Sequence, residues 1–157
     1  MFRISRKWSV YLSMFLACAA LVGLIVLAFF MPGFAEYLIS LPDYSGVRDG
    51  LPAYAHALIL TACYVILAIA LCGVGLVLYL LILVRAGKVF ASRAVGTVRA
   101  ISWLLFAAAA AFGATAFFFE MLLAFAFVCL LVGLIARVIK NVLEEAVHLK
   151  NDNDLTI

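Results

Sequence analysis

The residues that could carry out chemistry are few, and their spacing does not assemble a catalytic set. The chain contains two histidines, His56 and His148, and four cysteines, none of which form a CxxC pair. General acid–base or nucleophilic catalysis needs titratable groups held together, and zinc needs closely spaced, oriented ligands. We therefore expect no enzymatic activity and no cofactor. The cysteines, which all lie in apolar segments, are expected to be buried free thiols.

Two acidic segments could be drawn as cation sites, but neither has the required spacing. Glu36, Asp43 and Asp49 precede His56 without an HxxxH or DxDxDG pattern. Near the end of the chain, residues 152–154 are consecutive, with no glycine-turned loop and no bidentate glutamate after them. We interpret both segments as solvated charges and expect no metal site.

The composition explains this scarcity, because it is that of an integral membrane protein. The mean hydropathy is +1.28, and only 12% of residues are charged, against about 25% in soluble domains. Trp8–Met31 and Ala57–Val84 contain no charge, and Ala100–Ala136 contains only Glu120. A transmembrane helix needs about 20 apolar residues. The first two stretches therefore each predict one span.

The third stretch is too long for one span. As a single helix it would reach roughly 55 Å, nearly twice the hydrocarbon thickness of about 30 Å. It must turn back, and Glu120 marks the turn. The sequence therefore predicts an all-α polytopic membrane protein, a four-helix transmembrane bundle with an amphipathic C-terminal cytoplasmic helix extension. The spans are expected at about residues 8–31, 57–84, 100–118 and 121–139.

The distribution of basic residues predicts the orientation. Cytoplasmic segments collect Lys and Arg. With four spans, one side of the membrane receives all the basic residues except Arg48: Arg3, Arg6, Lys7, Arg85, Lys88, Arg93, Arg99, Arg137, Lys140 and Lys150. This predicts an exported loop at 32–56, a cytoplasmic loop at 85–99 and a cytoplasmic tail at 140–157. Both termini would be cytoplasmic, in a bacterial plasma (inner) membrane.

Small residues in the third span predict close helix packing. Ala109 with Gly113, and Ala110 with Ala114, place small side chains four residues apart on one face. In lipid, such pairs let helix backbones approach each other. The packing could be within the bundle or between subunits, so a homo-oligomer stays open.

The tail combines an apolar face with a mixed-charge face. The apolar face follows helical spacing: Ile135, Val138, Ile139, Val142, Ala146 and Leu149. The other side carries Arg137, Lys140, Glu144, Glu145 and His148. The basic loop at 85–99 is explained by topology and contact with anionic lipid. Because the tail is partly acidic, we expect its apolar face to contact protein.

Two segments carry a resemblance to a known family. The loop "GKVFASRAVGTVRAISW" (residues 87–103) and the ending "LKNDNDLTI" (149–157) resemble the signatures of a bacterial membrane protein family catalogued as domain of unknown function 2975. Those signatures are G-x-x-F-S-x-x-N-V-x-x-L-R-x-I-G-W and E-E-N-D-L-T-[IV]. The matching residues are Gly87, Phe90, Val95, Arg99, Ile101, Trp103, Asn153, Asp154, Leu155, Thr156 and Ile157. Ala94, Val98, Ser102 and Asp152 depart from the family pattern.

The resemblance implies a partner more than an activity. Such proteins have four predicted spans and are often encoded beside a small helix-turn-helix regulator. This implies a membrane component that controls or tethers a cytoplasmic DNA-binding protein, without contacting nucleic acid itself. The candidate cytoplasmic docking residues are Gly87, Phe90, Arg99, Trp103, Glu144, Glu145, Asn153, Asp154, Leu155, Thr156 and Ile157.

Two other functions remain compatible with the sequence. The 21 aromatic residues could line a pocket that binds or transports a lipid or small apolar molecule within the bundle. The chain could also be an accessory or immunity-type membrane subunit.

Overall fold

Four long helices make up the fold. A computed structural model describes residues 6–40, 55–87, 92–117 and 119–154. The helices are α1 (Arg6–Ser40), α2 (Ala55–Arg85), α3 (Ser92–Thr115) and α4 (Met121–Asp154). Each is long and apolar enough to cross a membrane, and the described residues contain no strand. The predicted all-α class with four spans is confirmed.

Helix α1 is longer than the sequence pattern predicted. It continues through Pro32 to Ser40, so residues 32–40 are helical rather than part of the exported loop predicted at 32–56. Pro32 removes the backbone hydrogen bond to the Ala28 carbonyl, but membrane helices tolerate this because neighbouring helices and local adjustment satisfy the freed group. Glu36 therefore lies on α1, whereas Asp43 and Asp49 lie outside the described residues.

The predicted cytoplasmic loop at 85–99 is also shorter in the structure. Helix α2 ends at Arg85, and α3 already begins at Ser92, so residues 92–99 form two turns of helix. The prediction placed the boundary by charge, whereas the buried Ala94, Val95 and Val98 follow helical spacing. Gly87 has a positive φ of 71° and its amide donates to the Val84 carbonyl at 3.1 Å, a helix end that favours glycine.

The helices pack in sequence order. Helix α1 contacts α2, α2 contacts α3, and α3 contacts α4; within the described residues α1 reaches neither α3 nor α4. Helices α2 and α3 therefore each have two neighbours, and α3 carries most of the buried side chains. Many large apolar side chains of α1, α2 and α4 are exposed. Lipid covers such faces at little cost, because its tails are as apolar as leucine.

Polar groups within α3 are mostly satisfied by the helix itself. The hydroxyls of Thr97 and Thr115 donate to the carbonyls of Arg93 and Ala111, at 2.9 and 2.6 Å. The Ser102 side chain is fully buried, and its hydroxyl has no hydrogen-bond partner among the described residues. Ser102 stands where the family signature prefers glycine, so a small side chain fits the close packing at this position.

Helices α3 and α4 approach each other closely at Gly133, which the sequence analysis did not single out. A Cβ atom there would lie 3.0 Å from Cε1 of Phe106 and 3.3 Å from Cβ of Leu105. At Gly113, which the small-residue pattern favoured, a Cβ would meet nothing within 4 Å. Gly133 is the single glycine of α4, and that was the available signal.

A larger side chain at position 133 should separate α3 from α4. We expect Gly133→Leu to destabilise the purified protein by about 1–3 kcal/mol, because the added atoms overlap Phe106. Gly23→Leu is the matched control, since a Cβ at Gly23 meets nothing within 4 Å. Thermal unfolding in detergent measures both. Equal melting temperatures for the two variants would show that α3 and α4 do not pack through Gly133.

Candidate functional site

The antiparallel helices bring their charged termini together at one end of the molecule. The Arg85 guanidinium of α2 lies 5.2 Å from the ring centroid of Tyr11 on α1. The Arg137 guanidinium of α4 lies 5.1 Å from the ring centroid of Trp103 on α3. The start of α1, the end of α2, the start of α3 and the end of α4 therefore share one end. We call it the basic end, defined by Arg85, Arg99, Arg137 and Lys140; the opposite end is the far end.

Glu144 joins two cations at the basic end. Its carboxylate accepts hydrogen bonds from Arg99 of α3, with Nη2 to Oε1 at 3.1 Å, and from Lys140 one turn earlier on α4. Lys140 also donates to Oδ1 of Asn141 at 3.2 Å. Arg99 and Glu144 are about half exposed, so each contact is individually weak. Their geometric effect is to hold the end of α4 beside the start of α3.

The electrostatic environment favours ionised Glu144. This residue lies 23 positions after Met121, about 35 Å along the helix, beyond a hydrocarbon thickness of about 30 Å. The hydrogen bond from Lys140 is the main cause that lowers the pKa of Glu144, with further lowering by the charge of Lys140 and by Arg99. The carboxylate therefore stays charged through the neutral range.

The structure tests how the predicted docking residues are arranged. It brings Arg99 to Glu144 and Trp103 to Arg137, so the loop signature and α4 do meet. Glu145 makes no ion pair within the described residues. Gly87 caps α2. The remaining candidates cannot be placed in this contact: Phe90 and Leu155, Thr156 and Ile157 lie outside the described residues, and Asn153 and Asp154 are described only as the last residues of α4.

One side of α4 has no protein neighbour among the residues that the structure describes. Val142 stands nine residues after Gly133, which at 100° per residue puts it on the side opposite α3. Val138, Val142 and Leu149 are all exposed, at 62%, 64% and 59%. The apolar row therefore continues along α4 past Lys140, beside residues that are charged.

A shallow apolar groove lies near the far end, between α2 and α3. Its volume is about 270 Å³. The lining residues are Leu58, Ala62, Val65, Ala111, Ala114 and Thr115. In the part of the chain that the structure describes, no three His, Cys, Asp or Glu side chains lie close enough together to hold a metal ion. The groove can take an apolar chain, and its lining offers no chemistry beyond one hydroxyl.

The four apolar helices, with charged residues at their ends, define a multi-pass helical membrane protein. The chain belongs to the family described as "Protein of unknown function (DUF2975)", which matches residues 44–157. The match spans α2, α3 and α4, and so includes every charged residue that defines the basic end. The family predicted from the sequence resemblance is confirmed. No curated protein and no solved structure matches the chain.

Loss of the Glu144 carboxylate should loosen the end of α4. We expect faster amide hydrogen exchange at residues 145–149 in Glu144→Gln, because the contact with Arg99 on α3 is lost, and a smaller difference at high salt. The same loss is expected in the parent protein when pH falls through the lowered pKa of Glu144, since the contact is present only above it.

Glu145→Gln is the matched control for this measurement. It removes the same charge from the same turn without removing an ion pair among the described residues. If the two variants exchange at equal rates, Glu144 does not hold α4 to α3.

Proposed function

We propose that this chain is a non-enzymatic integral membrane protein that docks a cytoplasmic protein at its basic end. The observation that carries the proposal is the continuation of α4 as one helix to Asp154. Its 34 residues reach about 51 Å, whereas the hydrocarbon is about 30 Å thick. About two fifths of α4 therefore projects from the membrane as an amphipathic extension.

The orientation of the proposal follows from charge. Arg85, Arg99, Arg137 and Lys140 all lie at the basic end, and Glu120 lies at the turn between α3 and α4 at the far end. Cytoplasmic segments carry the excess of Lys and Arg. The basic end then faces the cytoplasm, with both termini, in a plasma (inner) membrane.

The projecting part of α4 suits a protein partner. Val142 and Leu149 are exposed on the side away from α3, at a distance from the far end where lipid tails no longer reach. Glu145 is exposed beside them and unpaired within the described residues. An apolar row flanked by the Glu145 carboxylate disfavours an anionic lipid surface and complements a partner with a basic group beside an apolar patch.

A small helix-turn-helix regulator fits these requirements. DNA-binding proteins carry basic surfaces, and the sequence near the end of the chain adds two acidic residues, Asp152 and Asp154. The family signature "NDLTI" at 153–157 would extend the same docking surface. In this proposal the membrane protein holds or releases the regulator and does not contact nucleic acid itself.

A second function is favoured by the groove between α2 and α3, which could hold an acyl chain or a small apolar molecule. Its volume of about 270 Å³ lies just below the usual range for ligand sites, about 300–1,000 Å³. The groove is also remote from the residues of the family signatures. Docking at the basic end accounts for more of the chain.

Two changes at the end of α4 should weaken docking. We expect deletion of residues 151–157, and separately the double substitution Val142→Ser with Leu149→Ser, to reduce recovery of a co-expressed small helix-turn-helix regulator at least tenfold. Co-purification of the two tagged proteins from detergent-solubilised membranes measures this.

Phe117→Ser is the matched control, because Phe117 is an exposed apolar residue at the far end. It should leave recovery unchanged. Undiminished recovery with both α4 variants would contradict docking at the basic end.

A further inference from the structure

Arg137 is a cation without a charged partner, and it lies unusually deep. It makes no ion pair among the described residues; the contact shown is with the face of Trp103. Its neighbours Arg99 and Lys140 share the single carboxylate of Glu144. Near Trp103, the described residues therefore include three cations, Arg99, Arg137 and Lys140, but a single ion-paired carboxylate, that of Glu144.

The depth of Arg137 follows from the far end of the structure. Leu58 of α2 and Thr115 of α3 line the same groove, and Phe112 of α3 contacts Phe125 of α4 with ring centroids 5.9 Å apart. The far ends of α2, α3 and α4 are therefore level. Arg137 is sixteen residues from Met121, so it lies about 24 Å along α4. This is about 6 Å short of a hydrocarbon thickness of about 30 Å.

The hairpin formed by α1 and α2 has the opposite mismatch, because the uncharged segment of α2 is longer than the hydrocarbon thickness. Ala57–Val84 of α2 is uncharged for 28 residues, about 40 Å, whereas the uncharged parts of α3 and α4 are about 24 Å long. Tilting the molecule would shorten all these projections and place Arg137 deeper. Shifting it toward the basic end would instead draw Glu120 into the hydrocarbon. Neither movement brings Arg137 to the membrane surface.

We propose that three cations, Arg137, Arg99 and Lys140, bind the phosphate groups of anionic phospholipids. We call these three residues the cationic cluster. The phosphates reach the cationic cluster through local thinning of the leaflet beside α3 and α4.

A hydrophobic stretch shorter than the bilayer is accommodated by thinning of the bilayer, by snorkelling of flanking side chains or by oligomerisation. Thinning fits this site, because the Arg137 guanidinium lies over the ring of Trp103, a residue nearer the far end, instead of extending toward the surface. A guanidinium matches a phosphate with two parallel hydrogen bonds. Anionic lipids fit better than zwitterionic ones because the cationic cluster carries excess positive charge.

Trp103 makes the proposal measurable. The chain has two tryptophans, and Trp103 is 59% exposed beneath the Arg137 guanidinium. It lies twelve residues from Thr115, about 18 Å from the far end and near the middle of an undistorted bilayer. The variant Trp8→Phe leaves Trp103 as the single fluorophore.

The full chain carrying Trp8→Phe would be reconstituted in phosphatidylcholine vesicles containing phosphatidylglycerol, with one lipid at a time brominated. We expect bromines near the headgroup to quench Trp103 more than bromines near the acyl-chain end. We also expect brominated phosphatidylglycerol to quench it at least threefold more effectively than brominated phosphatidylcholine at the same mole fraction.

Substitutions test whether the cationic cluster causes the preference for phosphatidylglycerol. Arg137→Gln should make the two lipids quench equally, and Arg137→Lys should retain most of the preference for phosphatidylglycerol. Arg85→Gln is the matched control, because Arg85 also lies over an aromatic ring, that of Tyr11. Arg85 is the last residue of α2, whose uncharged segment is long enough to span the hydrocarbon without thinning. Equal quenching by both lipids in the parent, a preference that survives Arg137→Gln, or strongest quenching at the bilayer centre would each overturn the proposal.

Discussion

The thickness of the hydrocarbon layer is the constraint on which the rest of this structure depends. It requires backbone polar groups to be satisfied within each helix, and it separates charge into the two ends. Four helices that alternate in direction collect Arg85, Arg99, Arg137 and Lys140 at one end and leave Glu120 at the other. The same constraint makes the length of each uncharged segment meaningful. Helix α4 is longer than the hydrocarbon thickness of about 30 Å, while its uncharged part is shorter than that thickness.

Helix α3 converts these separate spans into one body. It is one of the two inner helices of the row, and its close contact with α4 depends on the absence of a side chain at Gly133 rather than on the small residues near Gly113. The Arg99–Glu144 ion pair and the Arg137–Trp103 contact continue the α3–α4 interface to the basic end. Packing in lipid thus positions the charged residues that carry the proposed functions. A substitution at Gly133 would therefore alter the position of the proposed docking surface, although Gly133 is not part of that surface.

Composition and charge were sufficient to predict four spans, the turn at Glu120 and the helical nature of the segment after Arg137. They could not predict helix ends, because a proline or an arginine ends a hydrophobic run without ending a helix. Helix α1 continues past Pro32, and α3 begins at Ser92. The pairing of Trp103 with Arg137 required the register of two antiparallel helices, which sequence periodicity does not contain. The family signature named Trp103 and Arg99, but it carried no information about their partners.

The central claim is that the basic end, with the projecting part of α4, faces the cytoplasm. Labelling with a membrane-impermeant maleimide tests it directly, in a background in which Cys18, Cys63, Cys72 and Cys129 are replaced by serine. Glu120→Cys should label in intact cells, whereas Glu145→Cys should label only after the membrane is permeabilised. Labelling of Glu145→Cys in intact cells would place the basic end outside and contradict cytoplasmic docking.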